Sequence, residues 1–218
     1  MNARVRFCVP VALFATVTLA GCAIGNHHAY HDTIATFQAS GSYAVAVTVH
    51  DQREYIQNKD KSPDFVGLQR GGYGNPFNVT TVSGQPLAED MTASIVASLR
   101  ARGFHPVPVV VSAEDGPATV RQRLIGTRAP RSVLLVLIEW KADSMQNTAL
   151  LYTVTLQILD GTGRLLAEKN LLGRDNLGGS FWNPPAHANH AVPAAFKGKL
   201  EALFNAPDVV AALTMPAS

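Results

Sequence analysis

Leu87, Met91, Ile95 and Leu99 recur every fourth residue, with Ala88 and Val96 beside them, so residues 86–102 carry the single apolar stripe of an amphipathic helix. Pro86 suits the first helical position, and Glu89 and Asp90 complement the positive end of the dipole. Arg100 and Arg102 lie at the other end, Gly103 fits the C′ position, and Phe104 is placed to fold back on the last turn. Elsewhere the apolar positions follow strand patterns. Tyr43 to Val49 is a β-rich run, and Arg131 to Trp140 is the most apolar stretch after the N-terminus and predicts a central strand. Leu150 to Leu159 predicts another, which the Asp160-Gly-Thr-Gly163 turn sends back into Arg164 to Leu172. His105 to Val111 reads as an edge strand, because Pro106 and Pro108 cannot donate to a ladder on both sides. Shorter helices are predicted over 118–125, 193–204 and 208–213. This order predicts an α+β fold, a mixed β-sheet with helices packed on one face, as a single domain over residues 43–218.

Two segments lack any period. Residues 22–42 read as a lipidated N-terminus and flexible tether; some 20 residues fully extended reach roughly 65 Å. Residues 57–78 hold four glycines and two prolines and read as a long functional loop. Phe65, Tyr73 and Phe77 lie on it, and large rings on a glycine-rich frame suit partner contact. The alternative is that these rings fold back and plug the sheet.

The first 25 residues settle location. Arg4 and Arg6 precede an uncharged run from Phe7 to Ala20, shorter than the roughly 20 residues a membrane-spanning helix needs. That is the layout of a signal peptide. It ends in Leu19-Ala20-Gly21-Cys22, which resembles a bacterial lipobox, with cleavage after residue 21 and acylation of the Cys22 thiol. Of the two cysteines, Cys8 leaves with the signal, so the mature chain keeps only Cys22, and no disulfide framework includes it. Two or three acyl chains make a stable anchor, at about 0.8 kcal/mol per buried methylene. Ala rather than Asp at position 23 resembles the outer-membrane class of Gram-negative lipoproteins, facing the periplasm.

The precursor carries 18 Lys and Arg against 16 Asp and Glu, but the signal removes two arginines and no acid. The mature chain is therefore neutral, which argues against a nucleic-acid partner. The motifs that announce chemistry are weak. His27, His28 and His31 beside Asp32 offer ligands without rigid support, as do His187 and His190, so no metal site and no cofactor are expected. Asp51-x-Arg53 reads as an internal ion pair rather than an acid–base couple, and Glu139 is a lone carboxylate in an apolar strand. No catalytic residue is assigned.

The strand Val45 to Val49 leading to Asp51-x-Arg53, a glycine-bearing loop into Val79-Thr-Thr81, then Pro86-Leu-Ala88 and a helix closing on Arg102-Gly-Phe104, resembles the YajG-like family of bacterial outer-membrane lipoproteins. The match covers roughly residues 43–111 and implies location more than reaction. The expected function is a lipid-anchored envelope protein acting as a non-enzymatic accessory or assembly factor, its partner an envelope protein. The alternatives are a cell-wall glycan-binding or hydrolytic module, or a small-molecule or metal-binding envelope protein.

Overall fold

The computed structural model describes residues 26–214; the segment expected to be a signal peptide, and Cys22, lie outside the described residues. Along the chain run β1 (His27–His28), β2 (Ala44–Asp51), α1 (Glu54–Gln57), β3 (Phe65–Arg70), β4 (Pro76–Thr81), α2 (Leu87–Arg100), β5 (His105–Pro108), α3 (Pro117–Gly126), β6 (Arg131–Ser144), β7 (Asn147–Asp160), β8 (Leu165–Gly179), α4 (Pro184–Phe204) and α5 (Pro207–Thr214). The eight strands form one mixed sheet, and the fold is α+β.

β6 is its spine. Along one side it pairs throughout with β7, which pairs in turn with β8, both antiparallel. Its other side is shared. β2 runs parallel to it from Arg131 to Leu137, and β3 runs parallel to it from Ala142 to Ser144. β5 lies outside β2, while β4 and then β1 lie outside β3. A bulge between Leu137 and Glu139 shifts the pairing with β7 by one residue. Val133, Leu135 and Leu137 point into the core before it, and Trp140 and Ala142 after it, so an odd-numbered face becomes an even-numbered one.

The main core lies between this inner face and helices α2, α4 and α5. A second, smaller cluster joins Ala46, Leu134 and Leu159 to Val120 and Leu124 of α3, so α3 alone covers part of the opposite face. This explains the Val-Ala-Val-Thr-Val run of β2. Valines fill the deep side, and small residues admit α3 on the other. The helix predicted at 86–102 forms as read. Gly103 has φ +91°, its N–H reaches Arg100 O at 3.0 Å, and Phe104 N–H reaches Leu99 O at 3.3 Å, the paired bonds of a Schellman cap. The helix expected from 193 begins earlier: the Asn183 side chain accepts from Ala186 N at 3.1 Å and starts α4 at Pro184, with Pro193 in its interior.

Two readings of aperiodic sequence need correction. From Asn26 onward the expected tether is a strap across the core. Tyr30, Ala35, Phe37 and Ala39 are buried; Tyr30 meets Phe196 edge-on at 5.2 Å and accepts a hydrogen bond from Trp140 Nε1 at 3.1 Å, and Phe37 stacks on Phe204 at 4.1 Å. After β1, its backbone from Ala35 to Gln38 pairs with side chains of α2, α4 and the α4 C-cap instead of a neighbouring strand. Ser98 Oγ accepts from Ala35 N (2.9 Å), Glu201 Oε1 from Thr36 N (2.9 Å), and Asn205 Oδ1 from Gln38 N (2.8 Å). Such a strap needs no period, because no ladder sets one. Likewise, residues 65–78 of the loop expected at 57–78 belong to the β3–β4 hairpin, which ends at Thr81 and whose register shifts between Phe65 and Gly67 and breaks any alternation.

One buried ion pair joins these parts. Arg53 Nε donates to Asp51 Oδ1 (2.8 Å) and Nη2 to Oδ2 (2.6 Å), while Nη1 donates to the carbonyls of Phe65 (2.7 Å) and Trp140 (3.4 Å). Burial disfavours the Arg53 charge, but the bonds and charge of Asp51 outweigh it and raise its pKa. Removing one partner strands the other, so Arg53→Ala should cost about 3–5 kcal/mol of stability, and Asp51→Ala with Arg53→Ala less than the sum of the single losses. Urea unfolding measures both.

The strap also carries a pH dependence. His28 is buried with Nδ1 3.2 Å from Asn189 Oδ1, and burial lowers its pKa to about 4. As pH falls below about 6.5 the unfolded chain takes up the proton first, so stability present above that value is lost as pH falls toward 4, by up to about 3 kcal/mol. His50, also lowered by burial, has the same sign. His28→Gln should flatten the slope of urea midpoint against pH across this window.

Candidate partner-binding groove

β5 stops at Pro108 because the chain can pair there on one side only. His105 N donates to Tyr43 O (3.0 Å) and Val109 N to Val47 O (2.8 Å), so the intervening prolines turn their missing N–H groups away from β2. Beyond Pro108 nothing continues the ladder at the end of β2. The Val49 N–H that faces this gap is met by Thr92 Oγ1 of α2 at 3.1 Å. The chain from Val109 to Ala113 then crosses the C-terminal ends of β2 and β5. Thr48 Oγ1 donates to Val109 O (2.7 Å), and Gln52 and Gln57 donate to Ala113 O (2.9 and 2.7 Å).

Between that segment and α2 lies a groove of two adjoining cavities, about 380 and 820 Å³, which share Ala88, Glu89, Val110 and Val111. Its floor is apolar, with Val49, Val96 and Ala93 facing Pro108 to Val111, and Val110 is 72% exposed. Its rim is charged: Glu89, Arg100 and Arg123, and an exposed Lys59–Glu114 pair at 3.0 Å. Gln57 and residues 59–63 form one wall, so the first part of the segment read as a loop does border the groove.

The aromatic residues singled out with that segment are not brought together. Phe65 is buried, edge-on to Tyr55 at 5.5 Å, with Lys61 Nζ 5.0 Å from its ring centre. It plugs the sheet. Phe77 is half-buried on β4, close over Gly71, and Tyr73 stands fully exposed at the hairpin turn. The groove valines gave no signal of their own, since Val109 to Val111 read as the tail of an edge strand.

The two carboxylates considered for acid–base work are committed internally. Both oxygens of Asp51 bind Arg53, and Glu139 Oε1 accepts from the Tyr55 hydroxyl at 2.8 Å, a phenol whose pKa is raised chiefly by burial. His27 and His28 are consecutive strand residues and point to opposite faces; His27 bonds Thr80 Oγ1 at 2.8 Å, and His31 pairs with Asp32 at 3.0 Å. His187 Nε2 lies 3.0 Å from Leu177 O. Among the described residues no group of three or more His, Cys, Asp or Glu side chains is placed to hold a metal ion, and no helix is long and apolar enough to cross a membrane.

Truncating Phe65 to Ala should therefore cost about 3–5 kcal/mol. Tyr73→Ala should stay within about 0.5 kcal/mol of the parent, as surface substitutions do. Thermal unfolding of the two variants compares them directly.

No family model matches the chain, and no curated protein is significantly similar to it. Several solved structures align with it at low identity. A Xanthomonas campestris protein described by the family model DUF330 aligns over 77% of this chain and 88% of its own, at 11% identity and TM-score 0.47. Lipoprotein GNA1162 from Neisseria meningitidis covers 72% of this chain and 99% of its own, at 13% identity and TM-score 0.40. The PelC dodecamer from Paraburkholderia phytofirmans covers 84% and 95%, at 14% identity and TM-score 0.41.

Proposed function

We propose that this chain is a lipid-anchored protein of the bacterial envelope that acts as a non-enzymatic accessory or assembly factor through protein contacts. The lipobox ending in Cys22 supports the anchor, Ala23 and the YajG-like motifs support the outer membrane, and a secreted signal supports a periplasm-facing domain. The observation that carries the protein-contact reading is the groove between α2 and Val109 to Ala113. An apolar floor inside a charged rim is the anatomy of a protein interface. Its walls are held by Thr48, Gln52, Gln57 and Thr92 through hydrogen bonds, so little ordering remains to be done on binding. The partner it suits is a chain segment presenting two or three apolar side chains flanked by charge.

A photo-crosslinking residue in place of Val110 should yield a discrete adduct with one envelope protein in cells. The same residue in place of Leu172, exposed on β8 away from the groove, should yield none. Ala93→Arg, which fills the groove from exposed α2 surface, should abolish the adduct and leave the melting temperature unchanged. Cys22→Ala should move the protein to the soluble periplasmic fraction. Equal adducts from both positions, or an adduct indifferent to Ala93→Arg, would place the contact elsewhere.

A further inference from the structure

Three turns emerge from one end of the sheet. Gln69 pairs with Ser144, Ser144 with Thr148 and Asn147 with Gly179, which gathers the β3–β4 turn, the β6–β7 turn and the β8–α4 junction. Ser180 N–H donates to Gln146 O at 3.1 Å and ties the last two together. Each turn carries an exposed apolar side chain: Tyr73 at 104%, Met145 at 43%, and Phe181 and Trp182 at 75% and 90%. Phe181 and Trp182 meet edge to face at 5.3 Å, so the pair is held as a unit while both rings face solvent.

The described chain begins beside the start of α4. Asn26 Nδ2 donates to Pro185 O at 3.1 Å, within the first turn of α4 and three residues from Trp182. β1 runs parallel to β4, with His27 beside Thr80 and His28 beside Thr81, at the end of β4 farther from the Tyr73 turn. Three residues lie between Cys22 and Asn26, so the four Cα steps reach at most about 14 Å. The strap thus shortens the connection from the proposed anchor to the described domain from some 20 residues to three.

From this juxtaposition we infer that the Tyr73, Met145, Phe181 and Trp182 end of the sheet lies against the bilayer to which Cys22 is anchored, with the aromatic rings seated among the lipid headgroups. The inference rests on the lipoprotein reading of Cys22. Trp and Tyr concentrate at membrane–water interfaces because an apolar ring with one polar group fits that layer. A patch this close to the acyl chains is confined near the lipid surface, whereas a protein partner would have to enter between the domain and its own membrane. The acyl chains and the aromatic end together make a two-point attachment, which fixes the orientation of the domain as well as its location.

The two tryptophans provide the test, since Trp140 is buried in the core and Trp182 is exposed. Full-length acylated protein is reconstituted into vesicles of phosphatidylethanolamine and phosphatidylglycerol, with and without bromine on the acyl chains. Mass spectrometry of the Cys22 peptide reports acylation, and Trp182→Phe isolates the Trp140 signal. The expected result is that Trp182 emission shifts to the blue in vesicles, loses most of its intensity to brominated lipid, and becomes shielded from aqueous iodide, while Trp140 is unchanged. Acylated, vesicle-bound protein whose Trp182 stays water-like and open to iodide would overturn the orientation and leave the anchor standing. Shielding that requires a second envelope protein and not lipid would overturn it in favour of a protein contact. An unacylated Cys22 with no retention on vesicles would remove the anchor and the orientation together.

Discussion

The buried Asp51–Arg53 pair sits where the sheet changes partners, and the rest of the architecture depends on it. β2 leaves β6 after Leu137 and β3 joins it at Ala142, so a stretch of β6 has no strand beside it. The Trp140 carbonyl lies in that gap, with no β2 or β3 residue paired to it. Arg53 fills the gap with a planar fork. It reaches Asp51, Phe65 O and Trp140 O together, while Pro63 O accepts from Nη2 at 3.3 Å, and the Tyr55 hydroxyl adds a second bond to Trp140 O at 3.0 Å. A lysine has one compact ammonium and could not satisfy acceptors spread in this way. The carboxylate that neutralises Arg53 comes from two residues upstream, so the clamp is local in sequence although its acceptors are not.

The break in the sheet shapes both surfaces of interest. Because β2 ends there, its C-terminal end, together with β5, opens onto the groove under α2. Because the chain returns immediately as β3, a hairpin projects past the end of β6 and carries Tyr73 with it. Gly67 is the hinge of this return: a Cβ on it would stand 2.3 Å from Ala142 O, so only glycine lets β3 lie against β6 at that point. The same residue reads in the sequence as one more loop glycine.

Where local pattern and tertiary demand agreed, the chain was legible. The α2 stripe, the Schellman cap at Gly103 and the Asp160–Gly163 hairpin turn rest on interactions within a few residues and form as read, while β5, read to Val111, ends at Pro108. The ion pair was legible too, though its burial was not. The strap, the β3–β4 hairpin and the groove were not. The strap's backbone partners lie more than 60 residues away on α2 and some 165 residues away on α4. The hairpin is bulged, and Phe65 looked like a free ring because nothing nearby in sequence announces that Tyr55 and Lys61 enclose it.

The sequence by itself therefore determined what depends on short-range chemistry: the helical stripe, the strand runs and the α+β order. Only the tertiary structure decided which aperiodic segments fold and which faces stay open. A residue such as Tyr30 is buried because Trp140 and Phe196 arrive around it, and Trp182 is exposed because no element does. Local periodicity records repeated contact with one neighbour. A strap or a projecting turn meets a different neighbour at each residue, and so leaves no period to read.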